Sequence, residues 1–344
     1  MKFRTTYSIA LLLFAVGCAK QNVQEGGFPE GCSIRVSAEV SVATRGHHDQ
    51  GVPESLTEFD LLVDTFVGEA DPYGIDNGYC YANSKFTYDS GSGEWIPSDA
   101  AAKMLWYNSS TKVRVAAMAP CRKEGSYNIG WNPGVDMLLS GADDKKGYVT
   151  FEVQQEQSKG DYSSDLLFYY KNDVTPKDLL VNGKLPIVFQ HMLSDLVITF
   201  KFGTEFNNSG VLESDIISDL VISGTKRTVR FIKKPMNDLY IGVEGDASDV
   251  KPYNSSWTRA TDKDGNCISE YECIIAPQTV AAGQFKLSFN VAGKAYSWTL
   301  PTEYEFEGNI IHKLSLRVGK DAVVLDGIST TKWGEVDGGT IETD

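Results

Sequence analysis

The sequence predicts an all-β protein with two sandwich-like domains. Apolar and polar residues alternate with a period of two along many short segments, and clusters of Gly, Asn, Asp and Ser separate these segments. We find no long segment with the 3.6-residue apolar stripe of a helix. The chain of 344 residues, of which 42% are hydrophobic and 11% aromatic, is long for a single core and has enough apolar side chains for two.

The individual elements follow from this alternation. The predicted strands are residues 33–42, 59–66, 113–119, 148–153, 165–170, 195–202, 219–223, 267–273, 285–291 and 312–318. Residues 86–97 are typical of a hairpin, because Gly91 and Gly93 can supply the positive φ that its tip needs. The polar stretch 174–184, which contains a proline and a glycine, is the predicted boundary between the two halves.

The amino terminus predicts an export signal with a lipid anchor. Lys2 and Arg4 precede an apolar run over residues 7–17, which is shorter than the roughly 20 residues that a membrane span needs. The run ends in the tetrapeptide AVGC at Cys18. This tetrapeptide is similar to a bacterial lipobox, in which signal peptidase cuts before the cysteine and the thiol carries the acyl chains. An ordinary signal peptide with an incidental cysteine is the alternative.

Composition and motifs indicate neither a nucleic-acid partner nor an enzyme. A net charge of −14 would repel nucleic acid. His47 and His48 are adjacent in a loop-like stretch, and His191, in an apolar segment, is predicted to be a hydrogen-bonded core or cap residue. The sequence contains no nucleophile elbow, zinc-protease helix or phosphate-binding glycine loop. We therefore predict no catalytic residue, no metal site and no cofactor.

The segment around the last two cysteines invites two readings that its spacing does not support. Cys267 and Cys273 lie six residues apart in one predicted strand, so their Cα atoms would be about 20 Å apart, beyond the reach of a disulfide. Asp262, Asp264 and Asn266 match the opening of a calcium-binding EF-hand loop. The two cysteines stand where that loop requires Gly and Glu, so we predict a turn. A disulfide elsewhere among the five cysteines after the lipobox stays open.

Six segments, in this order, resemble the fimbrillin-like proteins of Bacteroidales. They are residues 56–63, 104–120, 164–170, 185–200, 274–280 and 304–318. Residues 189–194, with the pattern F-x-H-x-L-S, form the most specific match. The resemblance implies two tandem transthyretin-like β-sandwich domains, in agreement with the strand pattern, and a subunit of a pilus or fimbrium.

Together, the resemblance and the strand pattern predict the organisation of the chain. It comprises a lipoprotein signal peptide (1–17), a segment with a removable strand (18–45), a first sandwich (46–180, with strand 33–42 before cleavage), a second sandwich (181–320) and a tail (321–344). Lipidation would place the precursor in the outer membrane. The mature subunit would lie in a cell-surface fimbrium.

The resemblance further implies processing and assembly by strand exchange. A trypsin-like protease would cut the lipidated precursor after an arginine that follows the first strand, and Arg45, before Gly46, is the candidate here. A sheet that loses an edge strand exposes unpaired backbone groups above an apolar groove, which a strand of another fimbrial subunit could fill. An ordinary loop arginine is the alternative reading of Arg45.

The removable strand and the donor strand are both predicted from their apolar residues. Alternation along the first strand directs one face toward the groove. This face carries Ile34, Val36, Ala38 and Val40. The donor is expected in the tail as two short segments joined by a kink, because several glycines interrupt it. The apolar residues of the tail are Val323, Leu325, Ile328, Trp333, Val336 and Ile341.

A second function stays open at this point: a surface lipoprotein that does not polymerise and that binds a glycan or a host protein. Trp131 and Trp257, in loop-like contexts, are the better candidates for stacking on a sugar, although packing is the more common role of tryptophan. A secreted hydrolase on a β-sandwich is the least favoured alternative, since the sequence offers no catalytic constellation.

Overall fold

The computed structural model of the chain describes residues 27–40, 56–65, 79, 81–121, 148–207, 210–233 and 239–333. In these ranges the fold is almost entirely β, which confirms the predicted fold class. The strands are β1 (Val36–Val40), β2 (Glu58–Thr65), β3 (Tyr81–Asp89), β4 (Glu94–Pro97), β5 (Val113–Ala119), β6 (Tyr148–Glu152), β7 (Leu167–Val174), β8 (Leu185–His191), β9 (Ser194–Phe202), β10 (Ile217–Lys233), β11 (Leu239–Val250), β12 (Tyr253–Thr258), β13 (Ile268–Ile275), β14 (Gln278–Val280), β15 (Lys286–Val291), β16 (Lys294–Thr299), β17 (Tyr304–Phe306), β18 (Ile310–Val318) and β19 (Val323–Lys332). Helix α1 (Pro176–Leu179) and 3-10 turns at Ala101–Lys103 and Thr204–Asn207 also occur.

Each predicted strand overlaps an observed one, and the predicted hairpin over residues 86–97 is formed by β3 and β4. At its tip, Gly93 has a φ of 72°, a value that glycine adopts without steric cost. Gly91 does not have the positive φ that we predicted. Its N–H instead donates to Asp89 Oδ1 at 3.1 Å, so the side chain of Asp89 shapes the first part of the turn.

Seven strands of the first half form one sheet in the order β1-β8-β7-β5-β2-β3-β4. The sheet curls, so that its two outer strands approach each other. Phe59 on the interior strand β2 shows the result, because its ring contacts Trp95 on β4, with 4.8 Å between the ring centroids. It also contacts Phe189 on β8, at 5.4 Å. The core of this half therefore lies inside the curl.

The second half is a sandwich of two sheets, with strand orders β11-β10-β15-β16 and β12-β13-β9-β18-β19. Alternate side chains of both sheets point inward and form one buried cluster. Phe200 on β9 and Phe289 on β15 meet across the sandwich edge to face, with 4.9 Å between the ring centroids. The short strands β14 and β17 form a separate ribbon.

A third hydrophobic cluster joins the two halves. Leu62 and Met118, on the outer face of the first sheet, pack with Phe151 on β6 and Val229 on β10. β6 pairs in antiparallel fashion with β10, so this strand, which we predicted in the first sandwich, extends a sheet of the second. An alternating pattern identifies a strand but does not identify its partner, which here lies far along the chain.

Residues 174–184, the predicted boundary, lie within the first half. A tight turn with positive φ at Asn182 (50°) and Gly183 (75°) leads from this stretch into β8. β8 pairs with β1 and β7 in the first sheet, and residues 192–193 alone separate it from β9 in the second half. The pairing of the strands therefore places the last crossing between the halves at residues 192–193.

Candidate functional site

The first strand, β1, forms one edge of the first sheet and pairs in parallel with β8. Its side chains alternate between core and solvent. Val36 and Ala38 are buried, with 4% and 7% exposure, and Val40 is partly buried. Ile34, two residues before the strand, is buried at 5% exposure. The structure confirms that these residues share the inward face, and the groove that they would leave on removal stays a prediction. All four belong to the first core or pack against it.

β8 depends on β1 for much of its hydrogen-bonded ladder. Its residues 185–189 pair with residues 36–40 of β1, whereas β7 pairs with the far end of β8. Leu185, Ile187 and Phe189 on β8 are fully buried and belong to the same cluster as the inward side chains of β1. Without β1, a row of backbone groups would lie unpaired above an apolar floor.

The chain that leads into β1 is also fixed on its other side. The N–H of Ile34 donates to the carbonyl of Met104 at 3.0 Å, and the N–H of Trp106 donates to the carbonyl of Cys32 at 2.8 Å. The segment before β1 therefore lies between residues 104–106 and β8. These bonds make the first strand an integrated part of the domain.

The described part of the tail forms β19, an edge strand that pairs in antiparallel fashion with β18. It is one strand of ten residues that continues through Gly327 with a bulge at Asp326. The rest of the tail lies outside the described residues, so the predicted pair of short segments joined by a kink stays a prediction. The bulge absorbs the irregular spacing of the apolar residues. Asp326 accepts hydrogen bonds from Lys201 (2.7 Å) and Arg317 (3.0 Å), which fix the bulge to β9 and β18 and lower the pKa of its carboxyl.

The side chains of β19 are far less buried than those of β1. Val323 and Leu325 pack partly against the second core. Val324 is 59% exposed and Ile328 is 36% exposed. The side chain of Ile328 lines a small apolar cavity together with residues of β18 and of the second core.

Trp333, the next residue after β19, reaches the first half of the molecule. Its indole stacks on the imidazole of His191, with 3.9 Å between the ring centroids and 6° between the planes. His191 is buried at the end of β8 and its Nδ1 lies 2.8 Å from Asp165 Oδ1, which confirms the predicted hydrogen-bonded core residue. The contact with Trp333 leaves no signal in the sequence, because the two residues lie far apart in the chain.

The junction between the halves contains buried carboxyl groups. Asp195 on β9 is fully enclosed, and burial, together with the nearby charges of Glu272 and Asp165, raises the pKa of its carboxyl. Cys273, on the neighbouring strand β13, has a raised thiol pKa, chiefly from burial. An inert, protonated thiol is the result.

Among the residues that the structure describes, the cysteines are free thiols and no metal-binding cluster occurs. In the ranges that the structure describes, no group of three or more His, Cys, Asp and Glu side chains could hold a metal ion. The predicted turn near residue 262 is confirmed, since the N–H of Asp264 donates to Asp262 Oδ1 at 2.9 Å. Cys267 and Cys273 are free thiols, as predicted.

The remaining predicted residues lie mostly outside the described ranges. These residues are Cys18, Arg45, Gly46, His47, His48, Trp131, Val336 and Ile341. Trp257 is described, and it lies in β12 rather than in a loop, with its ring 5.9 Å from that of Phe202. Among the described residues, no helix has the length and apolar character of a membrane span.

The fold of the chain is similar to that of several solved Bacteroides structures. A proposed cell adhesion protein from Bacteroides uniformis has a TM-score of 0.54 and 16% identity, with 89% of this chain and 99% of that chain covered. A second proposed cell adhesion protein, from Bacteroides ovatus, has a TM-score of 0.56, 12% identity and coverage of 89% and 99%. A fimbrial protein from Bacteroides vulgatus has a TM-score of 0.50, 14% identity and coverage of 87% and 99%.

The sequence itself matches the fimbrillin-like family over residues 63–333. No curated protein sequence matches it significantly. The family match spans most of both halves and ends at Trp333, so it includes β19 and its contact with the first half. This chain therefore belongs to the fimbrillin-like family, as a structural or adhesive subunit of a cell-surface fimbrium.

Proposed function

We propose that this subunit is exported as a lipoprotein acylated on Cys18, is cut after Arg45 by a trypsin-like protease, and then polymerises by strand exchange. One observation carries the proposal: β1 is an edge strand whose buried side chains complete the first core. Arg45 follows the last residue of β1 by five positions. A cut there would free the strand from the rest of its domain.

The apolar floor of β8 supplies the driving force for polymerisation. Ile34 and Val36 are nearly fully buried, and burial of such a side chain is worth about 1.5–3 kcal/mol. A subunit that has lost β1 forfeits this energy and leaves a row of backbone groups without partners. A strand from a neighbouring subunit restores both, which is why we expect the trimmed subunit to bind one.

The tail has a suitable face for the role of donor. Val323, Leu325 and Ile328 lie on the inward side of β19, each opposite a buried residue of β18, because the bulge at Asp326 shifts the alternation by one residue. The inward side of β1 carries Val36 and Ala38 at the regular two-residue spacing. The tail could therefore present a row of apolar side chains to the groove that β1 leaves.

The partners of the subunit are other fimbrial subunits, of the same or of a different kind. The lipid on Cys18 would hold the precursor at the outer membrane until the protease releases it into the fimbrium. We assign the protein a structural or adhesive role and no catalytic one.

Replacement of the cleavage residue tests the processing step. Arg45→Ala should leave a lipid-bound monomer on the cell surface, detected by its size in non-denaturing electrophoresis and by an acylated amino terminus at Cys18 in mass spectrometry. Arg259→Ala is the matched control, because Arg259 is an exposed arginine in a surface ion pair with Glu213. The control should polymerise normally. Polymer at normal yield from Arg45→Ala would refute cleavage after Arg45.

Truncation tests the donor. A chain that ends at Lys320 lacks β19 and should give folded, cleaved monomers that do not polymerise. Unchanged assembly of this truncated chain would exclude the tail as the donor. A mature amino terminus at acylated Cys18, together with binding to a glycan array and no polymer, would favour the non-polymerising lipoprotein instead.

A further inference from the structure

The junction between the two halves presents an aromatic surface at the end of β8. The imidazole of His191 is buried there, and its hydrogen bond with Asp165 at 2.8 Å fixes the orientation of the ring. One face of that ring is covered by the indole of Trp333, in a nearly parallel stack at 3.9 Å. Offset or parallel aromatic pairs stabilise a contact beyond the area that they bury.

The backbone of Trp333 is bound at the same place. Its N–H donates to the carbonyl of Asn309 at 2.9 Å, and the N–H of Asn309 donates to the carbonyl of Leu193 at 2.8 Å. Leu193 belongs to the two-residue link between the halves. Trp333 therefore touches the first half through its ring and the second half through its backbone.

Close packing holds the Asn309 turn against the link. A Cβ at Gly308 would lie 2.7 Å from the carbonyl oxygen of Met192, so only glycine fits there without moving the turn. Ser194 donates its hydroxyl to the carbonyl of Glu307 at 2.7 Å. The surface that receives Trp333 is thus preformed by both halves.

Trp333 differs from the strand that it follows. Val324 and Ile328 of β19 are largely or partly exposed. The stacked indole, in contrast, ties this end of the tail to a buried residue of the first half. Removal of that contact should let the strand open from its carboxyl end.

We propose that His191, oriented by Asp165, and the carbonyl of Asn309 form a binding site for Trp333, and that this site holds β19 closed in the subunit before polymerisation. The inference rests on the proposed donor role of the tail. The site keeps the donor on its own domain until a neighbouring groove competes for it. In the polymer the indole leaves this site, and the face of His191 becomes exposed.

Hydrogen exchange of the uncleaved, full-length monomer tests the site directly. Trp333→Ala should speed the exchange of the β19 amides roughly two- to tenfold, the range that loss of one aromatic pair allows, and leave the β5 amides unchanged. In Trp333→Phe, the β19 amides should exchange at nearly the same rate as in the unmodified protein. His191→Phe, which keeps a ring but loses the bond with Asp165, should give an intermediate rate.

Tyr107→Ala provides the matched control. Tyr107 is an exposed aromatic residue that contacts Tyr79 edge to face at 5.0 Å in the first half, so its loss should not alter exchange in β19. Unchanged β19 exchange in Trp333→Ala would overturn the proposal. Equal acceleration in β5 and β19 would also overturn it, since that result would show a general packing role.

Polymerisation of the cleaved protein separates this inference from the function on which it rests. If the tail is the donor, Trp333→Ala should shorten the lag before polymerisation of Arg45-cleaved subunits. Faster β19 exchange with an unchanged lag would support the indole site and argue against the donor role of the tail. Unchanged β19 exchange in Trp333→Ala, together with polymerisation that depends on the tail, would argue against the indole site and support the donor role of the tail.

Discussion

Two edge strands of this subunit, β1 and β19, differ in how firmly they belong to the fold. β1 pairs in parallel with β8 and places Val36 and Ala38 in the first core, together with Ile34 just before the strand, each at 7% exposure or less. β19 pairs in antiparallel fashion with β18, and its inward side chains are only partly buried. Both strands pair with the backbone groups of a neighbouring strand, but only β1 also places buried side chains in a core.

This difference is consistent with the opposite roles that we propose for the strands. A strand that fills a core leaves a large deficit when it departs, so its site is suited to accept a replacement. A strand that covers little apolar surface departs at small cost, so it is suited to be donated. In the proposed exchange, the free energy would be the difference between a strong new site and a weak old one, which would favour polymerisation.

Removal of each strand in turn should give the largest contrast. A chain that begins at Gly46 should bind an apolar fluorescent dye strongly, because Leu185, Ile187 and Phe189 become accessible. Its free energy of unfolding should fall by several kcal/mol, on the order of the burial energy of two or three apolar side chains. Dye fluorescence and denaturant unfolding of monomers at low concentration measure both effects.

The matched truncation after Lys320 sharpens the comparison. This chain should bind much less dye, because β19 contacts the second core mainly through Val323 and Leu325, which are only partly buried. Equal dye binding by the two truncated chains would contradict the assignment of acceptor and donor. It would show that the two edges cover comparable apolar surfaces.

Two isoleucines offer the same comparison at single-residue scale. Ile34, at 5% exposure, and Ile328, at 36% exposure, lie at the two edges and differ in burial rather than in chemistry. Ile34→Ala should lower the free energy of unfolding by about 2–4 kcal/mol through lost burial and a residual cavity. Ile328→Ala should lower it by less than about 1 kcal/mol. Denaturant unfolding of the full chain measures both losses. Similar losses for the two variants would contradict the difference between the two edge strands.

The sequence predicted what depends on local pattern. The period-two alternation at β1 gave the correct inward face, and the strand at residues 113–119 was predicted with its observed bounds, because dense apolar runs leave few alternatives. The glycine-rich hairpin was also predicted, although only Gly93 of its two glycines has a positive φ. Local chemistry determines such features.

Long-range pairing was not predictable in the same way. β6 looks like any other alternating strand, yet it pairs with β10 in the second half, and the crossing between the halves follows β8 rather than the polar stretch 174–184. The contact of Trp333 with His191 joins two residues whose patterns say nothing about each other. Partner choice is a property of the whole fold, which a single sequence does not display.

Acid should weaken the donor edge more than the acceptor edge, and His312 supplies the reason. His312 lies buried on β18, opposite Thr330 of β19. The N–H of Glu307 donates to its Nε2 at 3.1 Å, and its Nδ1 lies 2.9 Å from the hydroxyl of Tyr304. Burial lowers the pKa of His312 below its ordinary 6.5. Protonation of Nε2 would remove the acceptor that Glu307 requires.

The sign of the pH effect follows from this lowered pKa. Between the folded pKa and 6.5 the unfolded chain binds more protons than the folded one, so stability rises with pH in that window. The contribution of His312 is fully present above pH 6.5 and is lost as the pH falls through 6.5 toward the folded pKa, by at most about 1.4 kcal/mol per pH unit. Asp195, with its raised pKa, acts in the opposite sense.

The measurement must therefore isolate His312 from the other buried groups. The free energy of unfolding is compared between the unmodified protein and His312→Gln at pH 7.5 and pH 5.5, so that the contribution of Asp195 cancels in the difference. We expect the unmodified protein to exceed His312→Gln in free energy of unfolding by less at pH 5.5 than at pH 7.5. After correction for the intrinsic exchange rate, the amides of β19 should exchange faster than those of β1. A difference that stays constant with pH would show that His312 does not link the donor edge to acid.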